Sequence, residues 1–172
     1  MFEFETHQLE FFQLHEHQTF RLVHPLFVTG FVDGEGSFGI YLKNRSKYHL
    51  GWSVEPVFQL GLHEKDEQIL REIREFFDKA GSIYKKGSSV FWRVESLEQI
   101  SNIIIPHFDK YSLITQKHAD YLLFKQVILI IKRKEHLTKD GLQAIVNIRA
   151  TLNKGLRHWN KLFPSVFLFQ DI

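Results

Sequence analysis

The stretch His24–Leu42, "HPLFVTGFVDGEGSFGIYL", begins with helical spacing and ends with strand alternation. Between the two it places Gly30, Gly34 and Gly36 around two acids, Asp33 and Glu35. Glycine inside a helix costs about 1 kcal/mol relative to alanine, so a benefit elsewhere must offset it. Gly30 and Gly34 are four apart and share one helix face with Leu26 and, roughly, Thr29 and Asp33. A strip of small residues lets a second helix approach backbone to backbone. Phe27, Val28, Phe31 and Val32 flank the strip and are expected to anchor the helix in its own domain. Glu35 falls at the helix C-terminus, where a carboxylate is unfavourable unless a cation accompanies it. Two such helix ends brought together would make a divalent-metal site.

Working outward, the chain's 172 residues and 44% apolar content suit one domain with a substantial core. The absence of cysteine excludes disulfide scaffolds, zinc knuckles and thiol nucleophiles. A net charge of +2 permits nucleic-acid binding without requiring it. The apolar runs "YLLFKQVILII" and "NIIIP" are too short or too interrupted to cross a bilayer, so no membrane partner is expected. The opening residues 1–23 carry acids throughout and lack a basic start, which does not suit a secretory signal. They read as an N-terminal extension, with His15 and His17 as ordinary tail histidines. The domain is placed at 24–164, with a C-terminal tail at 165–172.

Within the domain, Phe38, Ile40 and Leu42 alternate with Ser37, Gly39, Tyr41 and Lys43. After a basic loop, "NRSKYHLG", a second strand sets Val54, Phe58, Leu60 and Leu62 against Ser53, Glu55, Val57, Gln59 and Gly61. Pro56 in that strand points to an edge or a bulge. "EKDEQILREIREFFDKAG" carries a helical stripe closed by Gly81. "SIYKKGSSVFWRVE" reads as a hairpin turning near Gly87 and Ser88. "SLEQISNIII" has a capping box from Ser96 to Gln99 and is expected to stop at Pro106. Two further helices follow, capped by Thr115 and Thr138, the second ending at Gly155. The order of elements predicts an α+β domain, one antiparallel sheet with its helices on one face and a polar opposite face.

At "VTGFVDGEG", Val28–Gly36, the sequence resembles the signature of the LAGLIDADG homing endonucleases. The resemblance continues through "FQLGLHEKD", "PHFDKYSLITQKHADYLLFKQ" and "KEHLTKDGLQAIVNIRATLNKGL", which look like segments of fungal mitochondrial intron-encoded members. It implies an αββαββα fold with a saddle-shaped sheet, and it implies site-specific cleavage of double-stranded DNA with Mg²⁺, for which Ca²⁺ or Mn²⁺ substitutes in binding. By the same resemblance Glu35 is the metal carboxylate, the Gly34 carbonyl completes its coordination, and Asp33 serves the helix end. Lys117 is the best match to a lysine that supports the cleavage centre. Leu26, Thr29, Gly30, Asp33 and Gly34 would form a dimer interface. Leu62 departs from the glutamine that many single-motif members carry, and resembles the N-terminal halves of two-motif enzymes.

The sheet face away from the helices would read DNA through Ser37, Tyr41, Lys43, Arg45, Lys47, Ser53, Gln59, Lys85, Lys86 and Arg93. That set holds six cations and no acid, although Glu55 interrupts it. The alternative for these positions is an ordinary wet sheet face. The resemblance leaves open a homodimer on a pseudo-palindrome of about 20 base pairs, half of a longer enzyme, an intron maturase that binds RNA, and a DNA-binding protein with weakened catalysis. One signature in the chain against two strands to be cut favours the homodimer. Synthesis inside a mitochondrion is the corresponding expectation for location.

Overall fold

Pro25 suits a helix start, since its fixed φ is already helical and its missing N–H would be unpaired there anyway. The first helix, α1, runs Pro25–Glu35, and His24 Nδ1 accepts from the Leu26 amide at 3.2 Å. The computed structural model describes residues 23–152, so nearly all of the expected extension, His15, His17, Gly155 and the expected tail lie outside the described residues.

Strands β1 (Gly36–Asn44), β2 (Trp52–His63), β3 (Ser82–Lys86) and β4 (Ser89–Val94) form one antiparallel sheet ordered β1-β2-β4-β3. Helix α2 (Glu67–Phe76) joins the two hairpins. After the sheet come α3 (Leu97–Gln99), a π-helical turn (Ile100–Ile104), α4 (Ile105–Lys110), α5 (Lys117–Lys132) and α6 (Lys139–Thr151). The α+β architecture matches the expectation, and the core lies between the sheet and the helices. Phe38 alone meets the rings of Phe58, Phe108, Tyr121 and Phe124 at centroid distances of 5.2 to 5.8 Å. Among the described residues, Phe38, Phe58, Phe77, Phe108 and Phe124 are buried in the core.

Pro56 lies in β2, which has a neighbour on each side, yet it breaks no ladder bond. The Arg45 amide donates to the Gly51 carbonyl at 2.8 Å, which makes 45 and 51 a hydrogen-bonded pair. Such pairs alternate along the ladder. Ile40 and Pro56, which face each other, are therefore a non-bonded pair, and the imide nitrogen points away from β1. On that far side β4 pairs with β2 only from Phe58 onward. The strand is an edge where the proline sits.

Two expected helix ends are corrected. Gly81 does not close α2, which stops at Phe76; Asp78 and Lys79 turn the chain with φ of 50° and 60°. Gly81 is required for another reason: its φ is +66°, and a Cβ there would stand 2.2 Å from the Arg93 carbonyl oxygen. Pro106 does not stop its helix either. The Ile105 amide bonds back to the Ile100 carbonyl, five residues earlier, and this widened turn carries the helix through the proline to Lys110. Burial of Ile100, Ile104, Ile105 and Phe108 rewards the continuation. The capping box is half-formed: Ser96 Oγ accepts from the Gln99 amide at 3.3 Å, while Gln99 Oε1 accepts from the Gly81 amide at 3.1 Å.

Candidate metal and nucleic-acid site

Glu35 is the last residue of α1, exposed, and makes no hydrogen bond or ion pair among the described residues. It lines a shallow 310 Å³ pocket with Gly61, Leu62, His63, Ser89 and Phe91. Lys117, from the first turn of α5, meets the carbonyls of this helix end and not the Glu35 carboxylate. Its Nζ donates to the Gly34 carbonyl at 3.4 Å and, in closer contact, to the Gly36 carbonyl. Lys117 thus sits where the helix dipole is negative. Leu62, the departure from the single-motif pattern, borders the Glu35 pocket directly.

Asp33 places that lysine. Its carboxylate accepts from the Ile114 amide at 3.0 Å, from the Thr115 amide at 3.3 Å and from Thr115 Oγ1 at 2.7 Å. Thr115 Oγ1 in turn accepts from the Lys117 amide at 3.2 Å. The signature helix is therefore clamped to the start of α5 by a side chain 82 positions away.

The expected interface set divides. Leu26, Gly30 and Gly34 face outward, and among the described residues a Cβ on either glycine would meet nothing within 4 Å. Thr29 is corrected, because it turns into its own domain, while Asp33 is half-buried with its carboxylate engaged by Ile114 and Thr115. Thr29 is 4% exposed; its hydroxyl donates to the Tyr111 carbonyl at 3.1 Å and lies 3.2 Å from His107 Nε2. Phe27 is also corrected, being 50% exposed and stacked on Phe31 at 5.8 Å, so Val28 and Val32 do the anchoring, with Phe31 packed against the core. Ile114, 90% exposed beside Asp33, extends the outward apolar surface and was not foreseen.

Because Thr29 donates to Tyr111, His107 offers it an Nε2–H, and the ring is held among Phe76, Phe77 and Phe108, where burial favours the neutral form. Burial lowers its pKa from 6.5 to about 4. Between those values the unfolded chain binds a proton that the folded domain refuses, so stability falls as pH drops from 6.5 toward 4. The expected loss is on the order of 3 kcal/mol by the acid end of that window. Melting curves at pH 7 and pH 5 should show it, and His107→Asn should flatten the slope. An unchanged slope in the variant would refute the neutral-histidine assignment.

Strand parity sorts the expected reading face. Ser37, Tyr41, Lys43, Ser53, Gln59, Arg93 and Lys86 lie on the outer side of the sheet, with Arg45 and Lys47 in the β1–β2 loop. Lys85 is corrected. It pairs with Val90 on the helix side of the sheet, and its Nζ lies 2.6 Å from Glu67 of α2. Lys85 and then Arg71 hold the Glu67 carboxyl below its ordinary pKa. Glu55 is a full member of the outer face. It pairs closely with Lys43 and stands 3.6 Å from Arg45, and the hydrogen bond from Lys43 is the largest cause of its lowered pKa. Arg93 pairs with Glu95 at 2.8 Å and lies 5.6 Å from the Tyr41 ring centroid. The face is less cationic than its basic residues alone suggest.

Two aromatic residues on this face were missed. Tyr84 and Phe91 stack with ring centroids 5.3 Å apart and planes 22° apart. The alternation of "SIYKK" and "SVFWRV" places both opposite the core residues Trp92 and Val94, which is the signal that would have found them. No helix among the described residues is long and apolar enough to cross a membrane.

The sequence profile of the LAGLIDADG endonucleases matches residues 28–128. The chain is 42% identical over 147 residues to "Probable intron-encoded endonuclease 2" of Neurospora crassa, covering 84% of this chain and 32% of that protein. It is 45% identical over 118 residues to an uncharacterized 50.9 kDa protein in ND4 intron 1 of Podospora anserina, covering 67% and 26% of the two. Among solved structures, the I-SmaMI LAGLIDADG homing endonuclease bound to cleaved DNA superposes with a TM-score of 0.74 at 47% identity, over 82% of this chain and 48% of that one. I-SmaMI bound to uncleaved DNA with calcium ions gives 0.75 at 46%, over 83% and 49%. The chain thus spans about a third of the first relative and about half of the solved enzymes. With the signature on α1, the described fold and these matches together, the chain belongs to the LAGLIDADG endonuclease family.

Proposed function

We propose that this domain is one half of a site-specific double-strand DNA endonuclease that uses a divalent metal, Mg²⁺ in the cell. The unpaired Glu35 carboxylate, at the end of a helix with an open glycine face, carries the reading. It gains weight from the DNA-bound I-SmaMI complexes of the same fold.

The donors suit a hard cation. One carboxylate and the Gly34 carbonyl offer oxygen only, and Mg²⁺ is typically held by one or two carboxylates with water and phosphate oxygens completing the shell. Among the described residues no three His, Asp or Glu side chains converge, and we propose that a second domain contributes the matching carboxylate. When bound, the metal supplies Lewis acidity toward the scissile phosphate and lowers the pKa of a coordinated water. Glu35 fixes the position of that charge. Lys117, on the Gly34 and Gly36 carbonyls, rigidifies the helix end and adds positive charge beside the developing anion. The outer sheet face lies in the major groove and supplies base contacts.

The second domain is proposed to be another copy of this chain, packed through Leu26, Gly30 and Gly34 about a two-fold axis on a pseudo-palindromic target. A second reading, in which both halves belong to one longer chain, is favoured by the solved relatives being about twice the matched length. Synthesis in a fungal-type mitochondrion is proposed from the intron-encoded relatives. The test is incubation with an intron-free insertion-site duplex in Mg²⁺ and, separately, Ca²⁺. Cleavage of both strands in Mg²⁺ with binding alone in Ca²⁺ supports the reading; binding without cleavage in either metal leaves a recognition protein, and preference for intron RNA a maturase.

Strand parity gives a sharper check of the reading face. Lys86→Ala should weaken binding and reduce the salt slope by about one unit if the lysine neutralises a phosphate. Lys85→Ala should leave the slope unchanged. Equal effects in the two variants would mean that the face is misassigned.

A further inference from the structure

The sheet register arranges the outer face in rows that cross the strands. One row runs Ser37, Gln59, Arg93, Ser82; the next runs Gly61, Phe91, Tyr84. Continued across β1, this second row reaches Glu35, which shares its pocket with Gly61 and Phe91. The row nearest the metal carboxylate is therefore aromatic, although the outer face around it is largely polar.

Gly61 makes this possible. A Cβ there would stand 2.7 and 2.8 Å from two carbons of the Phe91 ring, so only glycine lets the ring lie across β2. Tyr84 stacks on that ring, remains 37% exposed, and donates from its hydroxyl to Gln59 Oε1 at 3.2 Å. With its carbonyl end engaged, the Gln59 amide presents its NH₂ end to a ligand. A hydrogen-bond donor thus stands beside an apolar aromatic surface, held in register by the Tyr84 hydroxyl.

In the major groove one base matches that pair. Thymine sets an acceptor, O4, beside a C5 methyl; guanine has acceptors without the methyl, cytosine presents a donor, and adenine presents a donor with its acceptor. Resting on the proposal that this face reads DNA, we infer that Gln59, Tyr84 and Phe91 form a thymine-reading subsite. The Gln59 amide donates to O4, and the Phe91–Tyr84 stack receives the methyl group. It spans the row that reaches Glu35 and the row beside it, and each half of the enzyme would carry one copy.

The experiment is selection of bound duplexes from a randomised library by the full chain in Ca²⁺, followed by titration of the selected duplex. A thymine should be selected at one position in each half-site. Exchanging it for deoxyuridine, which removes only the methyl, should weaken wild-type binding about fivefold, the scale of one buried methyl group. Exchange for cytosine, which sets donor against donor, should cost more than about tenfold. Phe91→Ala and Gly61→Ala, which remove or displace the ring, should bind thymine and deoxyuridine duplexes equally. Tyr84→Phe should let the amide turn and admit adenine. The wild-type comparison decides even if a variant fails to fold. Selected duplexes with no thymine at such a position, or equal wild-type affinity for thymine and deoxyuridine, overturn the subsite and leave the nuclease reading intact. Failure to select any duplex overturns both.

Discussion

Glu35→Gln is expected to reduce DNA cleavage by roughly 10²–10³-fold or more, the scale of losing one pre-placed electrostatic element. The amide keeps the volume of the carboxylate and loses the charge proposed to hold the divalent cation. Glu35 has no protein partner among the described residues, so the change leaves no orphaned group and should not disturb the fold. Binding to the same duplex in Ca²⁺ should stay within about threefold, because the reading face and its phosphate contacts lie elsewhere. Single-turnover cleavage beside a binding titration separates the two effects. Normal cleavage by the variant would remove Glu35 from the centre.

Gly30→Leu is expected to abolish assembly and cleavage together while the isolated domain stays folded. A Cβ at Gly30 meets no atom of the described residues within 4 Å, so the obstruction expected is to the proposed partner helix. Val28 and Val32, both fully buried, keep α1 seated. Because leucine is the better helix former, the variant domain should be slightly more stable, by up to about 1 kcal/mol. Greater thermal stability with lost activity is an unusual combination, and it distinguishes an interface defect from misfolding. Sedimentation with DNA, a melting curve and a nicking assay read all three quantities. A variant that still cuts both strands would overturn the helix-to-helix assembly.

Most of the failed expectations share a cause. Thr29 and Asp33 share the helix face of Gly30 and Gly34 in sequence spacing, but their partners are Tyr111, His107, Ile114 and Thr115, about 80 positions away. A helical wheel shows which side a residue takes and not what waits there. Pro106 was read by a local rule that the buried isoleucines around a π turn override. Lys85 is different, because its parity with Ile83 was legible and charge counting obscured it.

The sequence by itself determined the order of helices and strands, the alternation along each strand, the signature helix and the place of Glu35 at its end. These follow from local periodicity, capping chemistry and a nearly contiguous motif. Only the tertiary structure decided that Lys117 lies on the carbonyls of that helix end, that Glu55 pairs with Lys43 and Arg45, and that Gly61 admits the Phe91 ring. Each depends on cross-strand register or on contacts between distant segments. A period of 2 or 3.6 residues selects a face; packing and hydrogen bonding between elements select the neighbour.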